Sequence, residues 1–453
     1  MFPTWPSAAV GMTRRQAFRF GLSAFVLPRS SPRAVAASPP ARPGAKGVIL
    51  VLLEGGMSHL ETWDPKPDAP AEIRGEFATI ATSLPAVRVG EHMPMLAQQA
   101  HLYNIIRSVH CDARNDHSPG MHLILTGFEN TAAGVALERS NARHPAVGSI
   151  LAHRRGVMGP GGVPRFVAVP RSHQLGGRVS YSTPAFLGTA YEAFETGPPP
   201  PSASQPMTLP PSLRLPAEAP LGRVQHRLAW RAALNRWNAA LDRDPLASRI
   251  DAQYQRAFEL LGSQRMDQAL DVGAEAAWFR ERYGSHPVGQ SLYLARRLVE
   301  AGVTYVLVDP YQGAEWDTHA QNFRGHKRLL PAMDRAVSTL LVDLHQRGML
   351  DEVLVLLISE MGRAPIINRD AGRDHWTQAY SVMMAGGGLT RGQVLGSTTR
   401  KGEWPSDRPI TVPEILATVY HQLRIDPNTV VYDEQRRPIP ILPEAKPIDE
   451  LIA

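Results

Sequence analysis

Cysteine is almost absent from this chain. Cys111 is the only one in 453 residues, so no intrachain disulfide can form and stability must come from a packed core and from any bound metal. Long apolar runs are missing too. None approaches the roughly 18 residues that a bilayer span requires, which excludes a transmembrane helix in the mature chain. Acidic residues are missing from positions 1–36, which hold five arginines. Without those five, the 48 basic residues fall to 43 against 42 acids, a net charge of +1, so the formal +6 gives no ground for a nucleic-acid partner. The remaining composition, 43% hydrophobic and 20% charged, fits a globular protein of one large domain or two ordinary ones.

The N-terminus has its own pattern. Arg14-Arg15 precede a short apolar stretch, FGLSAFVLP, and then Ala34-Val35-Ala36. A positive head, an apolar middle and a small-residue cleavage site make a signal peptide over 1–36, and the paired arginines point to the twin-arginine export machinery. Translation can start at Met1 or at Met12. The expected location is periplasmic or secreted, and residues 37–46, ASPPARPGAK, read as a flexible leader.

Beyond the leader, short apolar runs recur at 47–54, 165–170, 303–310, 353–359 and 380–388, as expected of strands buried on both faces. Between them, 287–301, 331–348 and 412–423 carry apolar residues at helical spacing, such as Met333, Val337, Leu340 and Leu344. Strand alternating with helix predicts an α/β fold, a mostly parallel central sheet wrapped on both sides in a three-layer α/β/α sandwich over 47–445. The proline-rich stretch 197–220 cannot be regular structure, and a segment rich in Ala, Leu, Arg and Gln follows it. The span 190–283 therefore reads as a proline-rich and helical insertion.

Five clusters of carboxylates and histidines are dispersed along this frame. They are Glu54, His117, Asp317 with His319, Glu360, and Asp374 with His375. Glu54, the Asp317 pair and Glu360 each follow an apolar run, where α/β proteins gather ligands. Mixed carboxylate and imidazole suits a divalent metal ion, with Zn, Ca, Mg and Mn all open. Asp317 and His319 point the same way if the segment is extended. Each cluster also has an ordinary reading: a strand-cap glutamate at Glu54, a surface Glu360–Arg363 pair, a core or surface histidine at His117.

The order of the clusters resembles the alkaline-phosphatase superfamily, which includes sulfatases. More closely, the chain is similar to a sulfatase-related family of exported bacterial proteins catalogued as a domain of unknown function. GGMSHLETWDPKP, LTG at 125–127, WDTH, SEMGRAP, GRDHW and MMAGGGLTRGQVLGST carry the resemblance. It implies an alkaline-phosphatase-like fold and a metal-dependent hydrolase of sulfate or phosphate esters, acting on a small-molecule or polysaccharide ester. Glu54, Asp317, His319, Glu360, Asp374 and His375 would be metal ligands. His117 occupies the family's nucleophile position, so His117 and the adjacent Ser118 become the catalytic candidates in place of the usual residue, and Met361 replaces a metal-binding histidine. Arg363, Ser58 and His59 would bind substrate. The alternative is a non-catalytic exported binding or structural protein that retains the fold.

Overall fold

The computed structural model describes residues 44–111, 115–129, 144–172, 174–175, 179–180, 182–198 and 262–452 apart from Gln312, Glu434 and Pro443, with isolated positions between 222 and 260. The signal-peptide reading, most of the leader and the 199–220 part of the proline-rich stretch lie outside the described residues.

Nine strands form the central sheet: β1 (Gly47–Leu52), β2 (Tyr103–His110), β3 (Phe166–Val169), β4 (Phe194–Glu195), β5 (Tyr305–Val308), β6 (Val353–Ile358), β7 (Tyr380–Gly386), β8 (Val394–Leu395) and β9 (Ile410–Thr411). Their order is β4-β3-β5-β1-β6-β7-β2-β8, with β9 also on β2. All neighbours are parallel except β7, which runs against both β6 and β2. The central strands are apolar at every position because both faces are covered.

Alternation along each strand sorts its side chains between two helical layers. Ile49, Val51, Val306, Val308, Val355 and Leu357 share one core with α3 (Pro287–Ala301) and α4 (Asn322–Gln346). Val48, Leu50, Leu52, Leu307, Leu354 and Leu356 share the other with α1 (His117–Thr126), α2 (Val147–Arg155) and α5 (Val412–Gln422). Each such aliphatic side chain contributes about 1.5–3 kcal/mol on burial. This is the three-layer α/β/α class that the alternation predicts.

One difference from the sequence reading has a physical cause. α4 begins at Asn322 rather than near Pro331 and carries that proline inside it. A proline removes one helix hydrogen bond, and the long buried stripe from Phe323 to Leu344 outweighs the loss. The span 190–283 enters the domain at both ends. β4 extends the sheet edge, and Met266, Ala269, Leu270 and Tyr283 join the core beneath α3.

Leu52 of β1 pairs with Ile358 of β6, so Glu54 and Glu360 leave the sheet side by side at its C-terminal end. α1 starts at the same end, with Asp116 as its N-cap and His117 as its first residue. Among the described residues, no helix is long and apolar enough to cross a membrane.

Candidate metal centre

The chain from β5 turns sharply after Val308 and brings Asp317 back over the end of β1. The Trp316 N–H donates to the Glu54 carbonyl at 3.0 Å. Gly55, at φ +113°, permits this: a Cβ there would stand 2.3 Å from the Asp317 nitrogen. α1 approaches as closely on the other side. A Cβ on Gly120 would lie 2.7 Å from the Glu360 carbonyl oxygen.

Three imidazoles surround the Asp317 carboxylate. His117 Nε2 is 3.2 Å from Oδ2, while His319 Nε2 and His375 Nε2 are 3.2 and 3.3 Å from Oδ1. His117, Asp317 and His375 can each offer one ligand atom within 4.8 Å of the others. The two remaining Nε2 atoms, of His319 and His375, are only 3.0 Å apart.

Every one of these rings is anchored through its other nitrogen. His117 Nδ1 lies 2.6 Å from Glu360 Oε1, His319 Nδ1 2.9 Å from Asp374 Oδ1, and His375 Nδ1 2.9 Å from the Asn115 carbonyl. The Asn115 carbonyl can only accept, and Glu360 and Asp374 accept when ionised, so each Nδ1 is placed to donate. With neutral rings, three Nε2 lone pairs would face one carboxylate, an arrangement that a metal ion or added protons would reconcile. The donor set fits a divalent ion held by His117, Asp317, His319 and His375. Imidazole-rich coordination suits Zn²⁺, the carboxylate leaves Mn²⁺ open, and Ca²⁺ and Mg²⁺ favour all-oxygen sets.

Protons can meet the same need. Burial alone would lower the His117 pKa, but hydrogen bonds and charge from Asp317 and Glu360 raise it to about 10. Burial would likewise raise the Asp317 carboxyl. The hydrogen bonds from His117, His375 and Arg363 overcome it and hold that carboxyl well below the usual carboxylate range.

The outer partners are as ordered as the ring of histidines. Glu360 is fully buried; its Oε1 also accepts from the Gly55 N–H at 2.8 Å, and its Oε2 has no hydrogen-bond partner among the described residues. Asn368 donates to Asp374 Oδ1 at 3.1 Å and to the His319 carbonyl at 2.9 Å. Asn115 accepts from the Thr377 N–H and hydroxyl at 3.0 and 2.8 Å. Sequence reasoning missed both asparagines, since nothing in ARND or INRD distinguishes them from turn residues.

The other expected residues sit as follows. Glu54 is buried at the end of β1, and Ser118 is buried one residue into α1. Asp374, more than half exposed, touches the cluster through His319. Ser58 and His59, expected to bind substrate, are fully buried, and His59 Nε2 lies 2.9 Å from the Gly402 carbonyl. Arg363 is the third residue expected to bind substrate. Its guanidinium is fully buried, donating to the carbonyls of Gly55, Gly56 and Arg373 and to Asp317 Oδ1 at 2.5 Å. Four of its five N–H groups are committed, and the bond to Asp317 orients that carboxylate. The surface Glu360–Arg363 pair does not form.

A family model described as a protein of unknown function (DUF1501) matches residues 45–452. The chain belongs to the DUF1501 family. No curated protein sequence matches it. Similar solved structures include the lipoteichoic acid synthase LtaP from Listeria monocytogenes, at 9% identity and TM-score 0.37, covering 84% of this chain and 73% of that one. The phosphonate monoester hydrolase of Agrobacterium radiobacter aligns at 12% identity and TM-score 0.37, over 84% and 74% of the two chains. The alkaline phosphatase of the Antarctic bacterium TAB5 aligns at 12% identity and TM-score 0.33, over 85% and 99%.

Proposed function

We propose that this DUF1501 protein is an exported, metal-dependent hydrolase of phosphate or sulfate esters, with a Zn²⁺ or Mn²⁺ ion held by His117, Asp317, His319 and His375. One observation carries the reading: three Nε2 atoms converge on one carboxylate while every Nδ1 is tied to an acceptor. Such an ion supplies charge stabilisation to a transferring phosphoryl or sulfuryl group.

The chain's own residues prepare that place. Arg363 fixes Asp317; Glu360, Asp374 and the Asn115 carbonyl fix the three rings in one tautomer. His117 has both nitrogens engaged, so it serves as a ligand and the chain lacks a side-chain nucleophile at that position. Small-molecule or polysaccharide esters are the substrates this reading admits, and nucleic acid is not among its partners. The twin-arginine pattern at Arg14-Arg15 supports export to the periplasm or beyond.

Elemental analysis of protein purified from metal-replete cells tests the proposal. About one Zn or Mn per chain is expected; less than about 0.1 sinks it. Metal-loaded protein should then hydrolyse 4-nitrophenyl phosphate or 4-nitrophenyl sulfate, with turnover abolished in His319→Ala. Metal at full occupancy with no turnover on any phosphate or sulfate ester would instead support the exported binding protein.

A further inference from the structure

The opposite end of the sheet holds a second feature that the metal centre does not use. A cavity of about 780 Å³ opens where the parallel strands begin, beside Gly47 of β1, Thr304 before β5 and Val353 of β6. That volume falls in the range of small-molecule sites. The six residues of β1 separate it from the metal centre by roughly 20 Å.

Five cations line it, Lys46, Arg155, Arg165, Arg265 and Arg424, against two acids, Glu300 and Glu352. Both acids are already engaged. Glu352 pairs with Lys46 at 2.6 Å, and Glu300 with Arg296 and Arg347 at 2.6 and 3.2 Å. The four arginines have no carboxylate partner among the described residues. Two of them bond only backbone or hydroxyl oxygens: Arg155 caps the Leu423 carbonyl, while Arg165 reaches the Arg155 carbonyl at 3.0 Å and Thr304 Oγ1 at 3.5 Å. These neutral contacts leave the charges uncompensated. Arg155, Arg165 and Arg424 stand close enough to repel: burial first, then the charges of the other two, lowers the Arg155 pKa. Val299, Met349 and Pro160 give the same cavity an apolar wall.

We propose that this cavity is a second binding site, for an organic phosphate or sulfate ester. The tetrahedral oxyanion would lie among Arg155, Arg165, Arg265 and Arg424, whose planar forks match its oxygens. The organic body would lie against Val299 and Met349.

Isothermal titration with phenyl phosphate and phenyl sulfate, at 0.15 M NaCl to screen nonspecific attraction, tests this in three proteins. They are the metal-depleted native chain, His319→Ala, and the double variant Arg265→Gln/Arg424→Gln. Both arginines are exposed, so the double variant should keep the native melting temperature. Saturable binding in the native chain and His319→Ala, weakened at least tenfold in the double variant, is expected. Binding that is unsaturable in the native chain, is lost only in His319→Ala, or persists within twofold in the double variant overturns the proposal. None of these outcomes depends on whether the metal centre catalyses.

Discussion

Two fully buried arginines stand ten residues apart on one excursion of the chain, and each holds a carboxylate. Arg373 donates to both oxygens of Glu61 at 2.6–3.1 Å, and Glu61 is 1% exposed. Arg363 donates to Asp317, whose side chain is 28% exposed. The cation is the same and the burial of the cation is the same; the openness of the acid differs. Glu61 is closed on every side and acts as a staple between the 61–73 loop and the 363–374 hairpin. Asp317 keeps one face toward three imidazoles and solvent. A buried ion pair is thus a structural lock or the foundation of a ligand site according to whether its acid has a free face.

Breaking the staple should have the largest effect. Arg373→Ala strands the Glu61 charge in the interior, and urea denaturation should report a loss of about 3–5 kcal/mol. Burial would raise the Glu61 pKa, but Arg373 lowers it below its ordinary value. The staple's contribution is therefore complete above the unfolded carboxyl's pKa and lost as pH falls below about 4.5. Glu61→Gln should flatten acid unfolding in that window.

Breaking the open pair should move metal rather than stability. Asp317→Asn should weaken metal binding by about 100-fold or more while Glu61→Gln leaves metal per folded chain unchanged, measured by competition with a chromophoric chelator. A smaller effect is expected one layer out. Asn368→Ala frees Asp374 and should weaken affinity about tenfold through a looser His319 ring.

The pH dependence of binding sharpens the same contrast. His117 holds its second proton up to about 10 in the metal-free protein, so an ion must displace it. Metal affinity should rise with pH by up to about tenfold per unit through neutrality, with protons released to the buffer. A pH-independent affinity between 6 and 8 would remove His117 from the ligand set.

Much of this frame was legible in the residues. Continuous apolar runs mark buried parallel strands, and the position of Glu360 and Asp317 just past such runs marks the C-terminal edge of the sheet. Strand-end geometry is local, so it survives translation from sequence. The roles within the site were less legible because they depend on how distant segments fold together. The resemblance gives His117 the nucleophile position, and neither segment's sequence tells that its Nδ1 faces Glu360, 243 residues away. Arg363 looked like an oxyanion holder, and only the return of Gly55 and Gly56 over it commits its donors. Ser58 and His59 sit in a polar motif whose burial depends on distant segments such as Gly402.

The reversed strand β7 has a consequence for how this site is assembled. Because β7 runs against β6, the chain leaves and re-enters the sheet at one end, and the whole stretch 359–379 is spent there. Glu360, Arg363, Asp374 and His375 therefore travel as one cassette. Arg373 within it ties the same stretch to Glu61 and the Ile73 carbonyl. One connection between adjacent strands thus brings four side chains to the cluster, while His117, Asp317 and His319 reach it from two others.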